Sequence, residues 1–238
     1  MDRNRIEALL AAVKDGSIPI DRALDQLRLL PFEEIAEYGK VDHHRELRAG
    51  VPEVVFGESK SAEAIAKLLT ALAERRGSAL ATRVDEAKAE LVVATVPRAE
   101  YRSAARAVLV PPLEARPSLG RVAVVSAGTS DAPVAAEVAA TLEFLDVEPM
   151  TITDVGVAGL PRTLAAAKEL GKVGAVVVVA GMEGALPGVL AGLTDRPIVA
   201  VPTSIGYGVG LGGYVAMMAM LATCSPGVTV VNIDNGFG

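Results

Sequence analysis

Residues 174–194 read GAVVVVAGMEGALPGVLAGLT, and the architecture follows from how this stretch divides. Four consecutive valines (176–179) form a short, fully apolar, β-branched run that stops at Gly181. A run of that kind is a strand buried on both faces. ALPGVLAGLT (185–194) then reads as a short helix.

The same alternation extends in both directions. Upstream, RVAVVSAG (121–128) is a strand and SDAPVAAEVAATLEFL (130–145) a helix; EPMTITDVG (148–156) is a strand and LPRTLAAAKELG (160–171) a helix. Downstream, RPIVAVPT (196–203) is a strand, GGYVAMMAMLATC (212–224) a helix and GVTVVNI (227–233) the last strand. Five apolar strands separated by helices predict a parallel sheet covered on both faces. Right-handed crossovers make it a flavodoxin-like, doubly wound α/β domain.

Charge divides the chain. Residues 1–120 carry 18 Lys+Arg and 19 Asp+Glu, whereas residues 121–238 carry 5 and 10. The change falls at PPLEARPSLG (111–120), a proline-rich stretch that reads as a linker. This predicts an N-terminal domain over 1–115 and an α/β domain over 120–238. The first is read as a small helical, α+β domain. It opens on a helical hairpin, RIEALLAAV (5–13) and IDRALDQLRLL (20–30), and continues with a helix over 61–77. SALATRV (78–84), ELVVATV (90–96) and AVLVPP (107–112) are read as strands.

Composition excludes several classes. The net charge of −6 lacks the basic face of a nucleic-acid binder. The single cysteine forms no internal disulfide, and the N-terminus has no signal-peptide core, so a reducing, cytoplasmic setting is expected. Residues 197–233 contain no charge, yet their prolines and glycines leave no run of the ~20 residues a bilayer span needs. A helix as apolar as 213–223 is expected to be buried, inside the fold or between subunits of a homo-oligomer.

Ligands of doubly wound sheets bind beyond the carboxyl ends of the strands. After the first strand, Ser126, Gly128, Thr129, Ser130 and Asp131 form either a phosphate cradle at a helix start or a plain capped turn. Asp131 repels a phosphate and suits a cap, a sugar or a ring. Asp154 lies near the end of the second strand. After the third, Gly181, Met182 and Pro187 surround Glu183, a candidate general base or water-positioning acid that is otherwise a solvated loop acid. Five glycines between 206 and 213 can wrap a ligand or pack against a subunit. Asp234 and Asn235 follow the last strand. In the first domain, Arg45, Arg48 and Lys60 can receive phosphates or form an ordinary charged loop. His43 and His44 are adjacent with no cysteine nearby, so no dedicated metal site is expected.

SAGTSD, AGMEGALPGV and PIVAVPTS resemble the phosphate loop, the Leu-Pro-Gly segment and the fourth strand of the aminoimidazole ribonucleotide carboxylases of purine synthesis. That likeness covers roughly 120–225. It breaks at Ala185, where the purine enzymes carry a proton-transferring histidine. HHRELRAGVPEVVFGESKS (43–61) and CSPGVTVVNIDNGFG (224–238) instead resemble the LarB family, which opens nickel-pincer nucleotide cofactor synthesis, and this likeness spans nearly the whole chain.

The LarB resemblance implies carboxylation of nicotinic acid adenine dinucleotide at C5 of its pyridinium ring, and hydrolysis of its phosphoanhydride to AMP and pyridinium-3,5-biscarboxylic acid mononucleotide. It implies that Cys224 adds to the ring and Glu183 serves the hydrolytic step. CO2 or bicarbonate is the co-substrate, no cofactor is tightly bound, Mg2+ can assist, and the assembly is an octamer with sites between subunits. A lone cysteine is ordinarily inert packing. Following a helix, Cys224 meets the negative end of its dipole, so the pyridinium charge has to compensate. Two alternatives stand beside this reading: a purine-type carboxylase or mutase, and a nucleotide-binding module without chemistry.

Overall fold

The computed structural model describes residues 3–28, 33–35, 38–42 and 45–238. It contains two compact units, one of residues 1–101 with 107–115, the other of 102–106 with 116–238.

The first unit opens with α1 (Arg3–Lys14) and α2 (Ile20–Arg28), an antiparallel hairpin of β1 (Glu33–Ile35) and β2 (Gly39–Val41), and the short α3 (Arg45–Ala49). A second sheet follows from β3 (Val55–Phe56), β4 (Ala79–Thr82), β5 (Glu100–Arg102) and β6 (Ala107–Val110), in the order β3-β4-β6-β5. Between its strands run α4 (Ala62–Arg76) and α5 (Glu86–Thr95). Ser61 starts α4 by accepting the Ala64 N–H, and Gly77 at φ 85° ends it. Ile65, Leu69, Val84, Val92 and Val108 form the centre of this unit's core.

One expected strand is absent. ELVVATV lies almost entirely in α5. Asp85 caps the helix by accepting the Lys88 N–H at 2.9 Å, and the helix formers of EAKAE commit the segment before its β-branched residues arrive. Ala89 and Val92, three apart, are buried while Leu91 and Val93 are exposed, which is helical rather than alternating burial.

The second unit is a five-stranded sheet in the order β11-β10-β9-β7-β8. The strands are β7 (Arg121–Ser126), β8 (Glu148–Ile152), β9 (Ala175–Ala180), β10 (Ile198–Pro202) and β11 (Val228–Val230), and every neighbouring pair is parallel. The helices between them are α6 (Ala132–Phe144), α7 (Leu160–Ala167), α8 (Leu186–Ala191) and α9 (Tyr214–Leu221). In chain order the sheet reads 2-1-3-4-5, the flavodoxin-like arrangement. Its two faces have separate cores. Val124, Val179 and Val201 pack with Ala135 and Val138 of α6. Ala123, Val125, Val176, Val178 and Ala200 pack on the opposite side with residues of α7, α8 and α9.

α9 is not buried all round within the protomer. Ala216 and Met220 are covered, but Tyr214, Met218 and Leu221 are each 60% exposed. The preceding glycines form a 3-10 segment, Gly208–Gly213. No described helix is long and apolar enough to cross a membrane.

Candidate active site

The carboxyl ends of β7, β8, β9 and β10 lead into loops that bind one another tightly. The Gly156 N–H donates to the Ala127 carbonyl at 2.8 Å, and a Cβ on Gly156 would lie 3.0 Å from that oxygen. The Met182 N–H donates to the Ile205 carbonyl at 2.8 Å. Gly184, at φ +64°, turns the chain into α8 so closely that a Cβ there would sit 2.6 Å from the Ala216 carbonyl. Glycine is thus required where these loops cross.

Between them lies a cleft of about 230 Å3. Ala127, Gly128, Ser130 and Asp131 line one wall, Ala180, Gly181, Met182 and Glu183 another, and Gly156–Ala158, Ala185, Leu186 and Ile205 complete it. No lysine or arginine is among these lining residues. Asp131 is 3% exposed. Its two carboxylate oxygens accept from the Gly128 N–H at 2.9 Å and from the Thr203 hydroxyl at 2.7 Å. Asp131 therefore latches the β7 loop to the end of β10, rather than capping α6 with its side chain. Glu183 sits at the apex of the turn closed by the Gly184 N–H on the Gly181 carbonyl, and it is exposed.

Four of the eight described non-glycine residues with positive φ follow strands of this sheet. Asp154, Met182, Leu211 and Asp234 all have positive φ, between 48° and 57°, and they follow β8, β9, β10 and β11 respectively. Non-glycine residues are uncommon in this region and are held there by their surroundings.

The remaining sequence-derived candidates lie around or away from the cleft. Ser126 is fully buried at the end of β7, and among the described residues its hydroxyl has no hydrogen-bond partner. Thr129 is exposed in the turn after Gly128. Pro187 is buried in the first turn of α8. Asp154 forms an ion pair with Arg162. Asp234 accepts the Ser204 N–H at 2.8 Å, and Asn235 accepts that of Gly238 at 2.8 Å, so both fasten the C-terminal segment. None of these six residues lines the cleft. Arg45 and Lys60 belong to the first unit, as does Arg48, whose side chain lies outside the described residues. His43 and His44 also lie outside them. Among the described residues no group of three His, Cys, Asp or Glu side chains is placed to hold a metal ion.

Cys224 is exposed, in the loop from α9 to β11. It precedes the amino end of β11, whereas the cleft opens beyond the carboxyl ends, and it is not among the lining residues. The loop is anchored on α8: the Ser225 hydroxyl donates to the Gly188 carbonyl at 2.9 Å, and Gly188 leaves space for the Thr223 hydroxyl.

Sequence reading missed Thr203, Ile205 and Gly156–Ala158. The carboxyl-end rule points to all of these loops. Thr203 had a further signal, because it lies two residues beyond Val201 and so extends the α6-facing side of β10.

The strand order defines a flavodoxin-like α/β domain, and its residues 121–237 match the family model for AIR carboxylase. With it comes a carboxylase- or mutase-type enzyme activity. Residues 32–112 match a second model, the LarB/PurE-like N-terminal domain. The uncharacterized protein MJ0165 of Methanocaldococcus jannaschii is 41% identical over 97% of this chain and 92% of its own. The N5-carboxyaminoimidazole ribonucleotide mutase of Mycobacterium tuberculosis is 33% identical over 49% of this chain and 66% of its own. The chain belongs to the LarB family.

Proposed function

We propose that the protein carboxylates nicotinic acid adenine dinucleotide at C5 of the pyridinium ring and hydrolyses its phosphoanhydride. The products are AMP and pyridinium-3,5-biscarboxylic acid mononucleotide, the first intermediate of nickel-pincer nucleotide synthesis. The observation that carries this reading is the replacement of one acid–base group by another at the cleft, together with a lone exposed thiol outside it. Ala185 lines it where the purine enzymes carry their proton-transferring histidine, while Glu183 stands two residues away and the chain's single thiol is exposed.

The chemistry needs that thiol. A pyridinium ring is electron-poor and does not attack CO2. Addition of the Cys224 thiolate at C4 gives a dihydropyridine whose C5 is an enamine carbon. C5 attacks CO2, forming the new C–C bond. Loss of the C5 proton and departure of the thiolate restore the aromatic ring. Cysteine suits both steps, as a strong nucleophile and a good leaving group. For the second half-reaction Glu183 positions the water that attacks the phosphoanhydride.

The site is completed by other parts of the assembly. Pockets that enclose ligands of this size run to about 300–1,000 Å3, and the cleft is only about 230 Å3. Its lining supplies no cation for the phosphates, a role we give to Arg45, Arg48 and Lys60. The exposed face of α9, with Met218 and Leu221, supports a homo-oligomer in which Cys224 serves a site between subunits. By family resemblance that assembly is an octamer in the cytoplasm. CO2 or bicarbonate is consumed, and no cofactor stays bound.

Incubation with nicotinic acid adenine dinucleotide and bicarbonate tests the reading, with Mg2+ and chelator arms. AMP should appear together with a mononucleotide heavier by one carboxyl group. If neither forms in any arm, the reading fails. Turnover of carboxylated aminoimidazole ribonucleotide in its place establishes the mutase alternative, which the match to the mycobacterial enzyme favours and Ala185 opposes.

A further inference from the structure

We propose that Thr203 is a positioning residue that holds the walls of the cleft in register; the identity of its ligand rests on the dinucleotide reading above. Thr203 is fully buried just beyond β10. Its hydroxyl donates to Asp131, whose other oxygen holds the Gly128 N–H. Its own N–H donates to the Ala180 carbonyl at 3.0 Å, at the root of the Glu183 turn. Gly181 has no Cβ, and one there would lie 2.6 Å from the Thr203 hydroxyl oxygen. Gly213 leaves the same kind of space, 2.7 Å, for the Thr203 carbonyl. One residue therefore fastens the loops after β7, β9 and β10.

The hydroxyl and the backbone of Thr203 do different work. The backbone contacts secure the Glu183 turn and the glycine segment before α9. The hydroxyl secures Asp131 alone. With both oxygens engaged, the Asp131 carboxylate is held within the wall and is not free to confront an anionic ligand. Without the hydroxyl, one oxygen of the buried Asp131 carboxylate loses its donor, only the Gly128 N–H still holds the group, and a half-paired carboxylate is left at the wall of the cleft. Binding then weakens while the Glu183 turn keeps its geometry.

Thr203→Val keeps the shape and β-branching but removes the donor, and Thr203→Ser keeps the donor. In the valine variant, KM for nicotinic acid adenine dinucleotide should rise about tenfold, as expected for one unpaired buried acceptor. Its kcat should stay within about twofold, the pattern of lost binding rather than lost chemistry. Serine should restore KM. A folded valine variant with unchanged KM overturns the proposal, whatever its melting temperature, and so does a serine variant as impaired as valine. Thr203→Ala serves as the second variant if the valine chain does not fold. Calorimetric titration of the same dinucleotide separates the two readings. A wild type that binds but makes no AMP, with about tenfold weaker binding in the variant, upholds Thr203 and overturns the proposed reaction. A wild type that neither binds nor turns over overturns both.

Discussion

The Ser225 hydroxyl reaches the Gly188 carbonyl at 2.9 Å, so the loop bearing the only thiol is fastened to the helix that begins just after Glu183. The two residues with proposed chemical roles thus lie on segments tied to α8. Glu183 lines the cleft and Cys224 does not. In a single protomer they do not form one constellation, which is why a second copy enters the proposed reaction.

Cys224→Ala should abolish carboxylation, by about 10³-fold or more, because the ring cannot become nucleophilic without covalent addition. The side chain is exposed, so the melting temperature should stay close to that of the wild type. Incorporation of labelled bicarbonate measures the first effect and thermal unfolding the second. Undiminished incorporation would remove the thiol from the mechanism.

Glu183→Gln should depress AMP release by about 10²- to 10⁴-fold, the usual contribution of a positioned acid or base. Among the described residues its carboxylate has no partner to lose, so folding should be unaffected. Chromatographic separation of AMP from a carboxylated dinucleotide tells whether the two half-reactions part company. Equal loss of both would give Glu183 a general rather than a hydrolytic role.

Met218→Lys with Leu221→Lys should lower the particle mass in sedimentation, because both residues lie on the uncovered face of α9. Charge placed in an apolar subunit contact is left unpaired. Activity should fall with the mass. An unchanged sedimentation coefficient would mean that this face is not the contact.

Asp85→Ala should lower the melting temperature by a few degrees at neutral pH by removing the cap of α5. In the wild type the Lys88 backbone N–H holds the Asp85 carboxyl below the usual carboxylate range. A depressed native value means that this stabilisation is complete above the unfolded-state range and is lost as pH falls through the native one. The gap between the two melting curves should therefore close in acid. A gap that persists at pH 2 would point to packing rather than the cap.

The second unit was legible almost strand by strand. Runs such as Val176–Val179 have one physical explanation, burial on both faces of a parallel sheet, and the loops that line the cleft follow from where such strands end. The first unit was less legible. The two-residue β3 is too short to leave a pattern, and ELVVATV has the composition of a strand under the control of a helix cap five residues earlier. At the site, Gly181 and Glu183 could be read from their loop. The Asp131–Thr203 bond could not, because it joins positions 72 residues apart through a hydroxyl that composition alone makes look like strand filler.

The left-handed residues at the strand ends also bear on how this enzyme can change. Met182→Gly would relieve the left-handed backbone at its position and make the chain sturdier, whereas Asp154→Gly would relieve it at the loss of the ion pair with Arg162. They would also slacken the loops at the carboxyl edge of the sheet. Laboratory evolution that rewards heat tolerance alone would erode this rim first and deliver durable, idle variants, so any such campaign has to screen for turnover in every round.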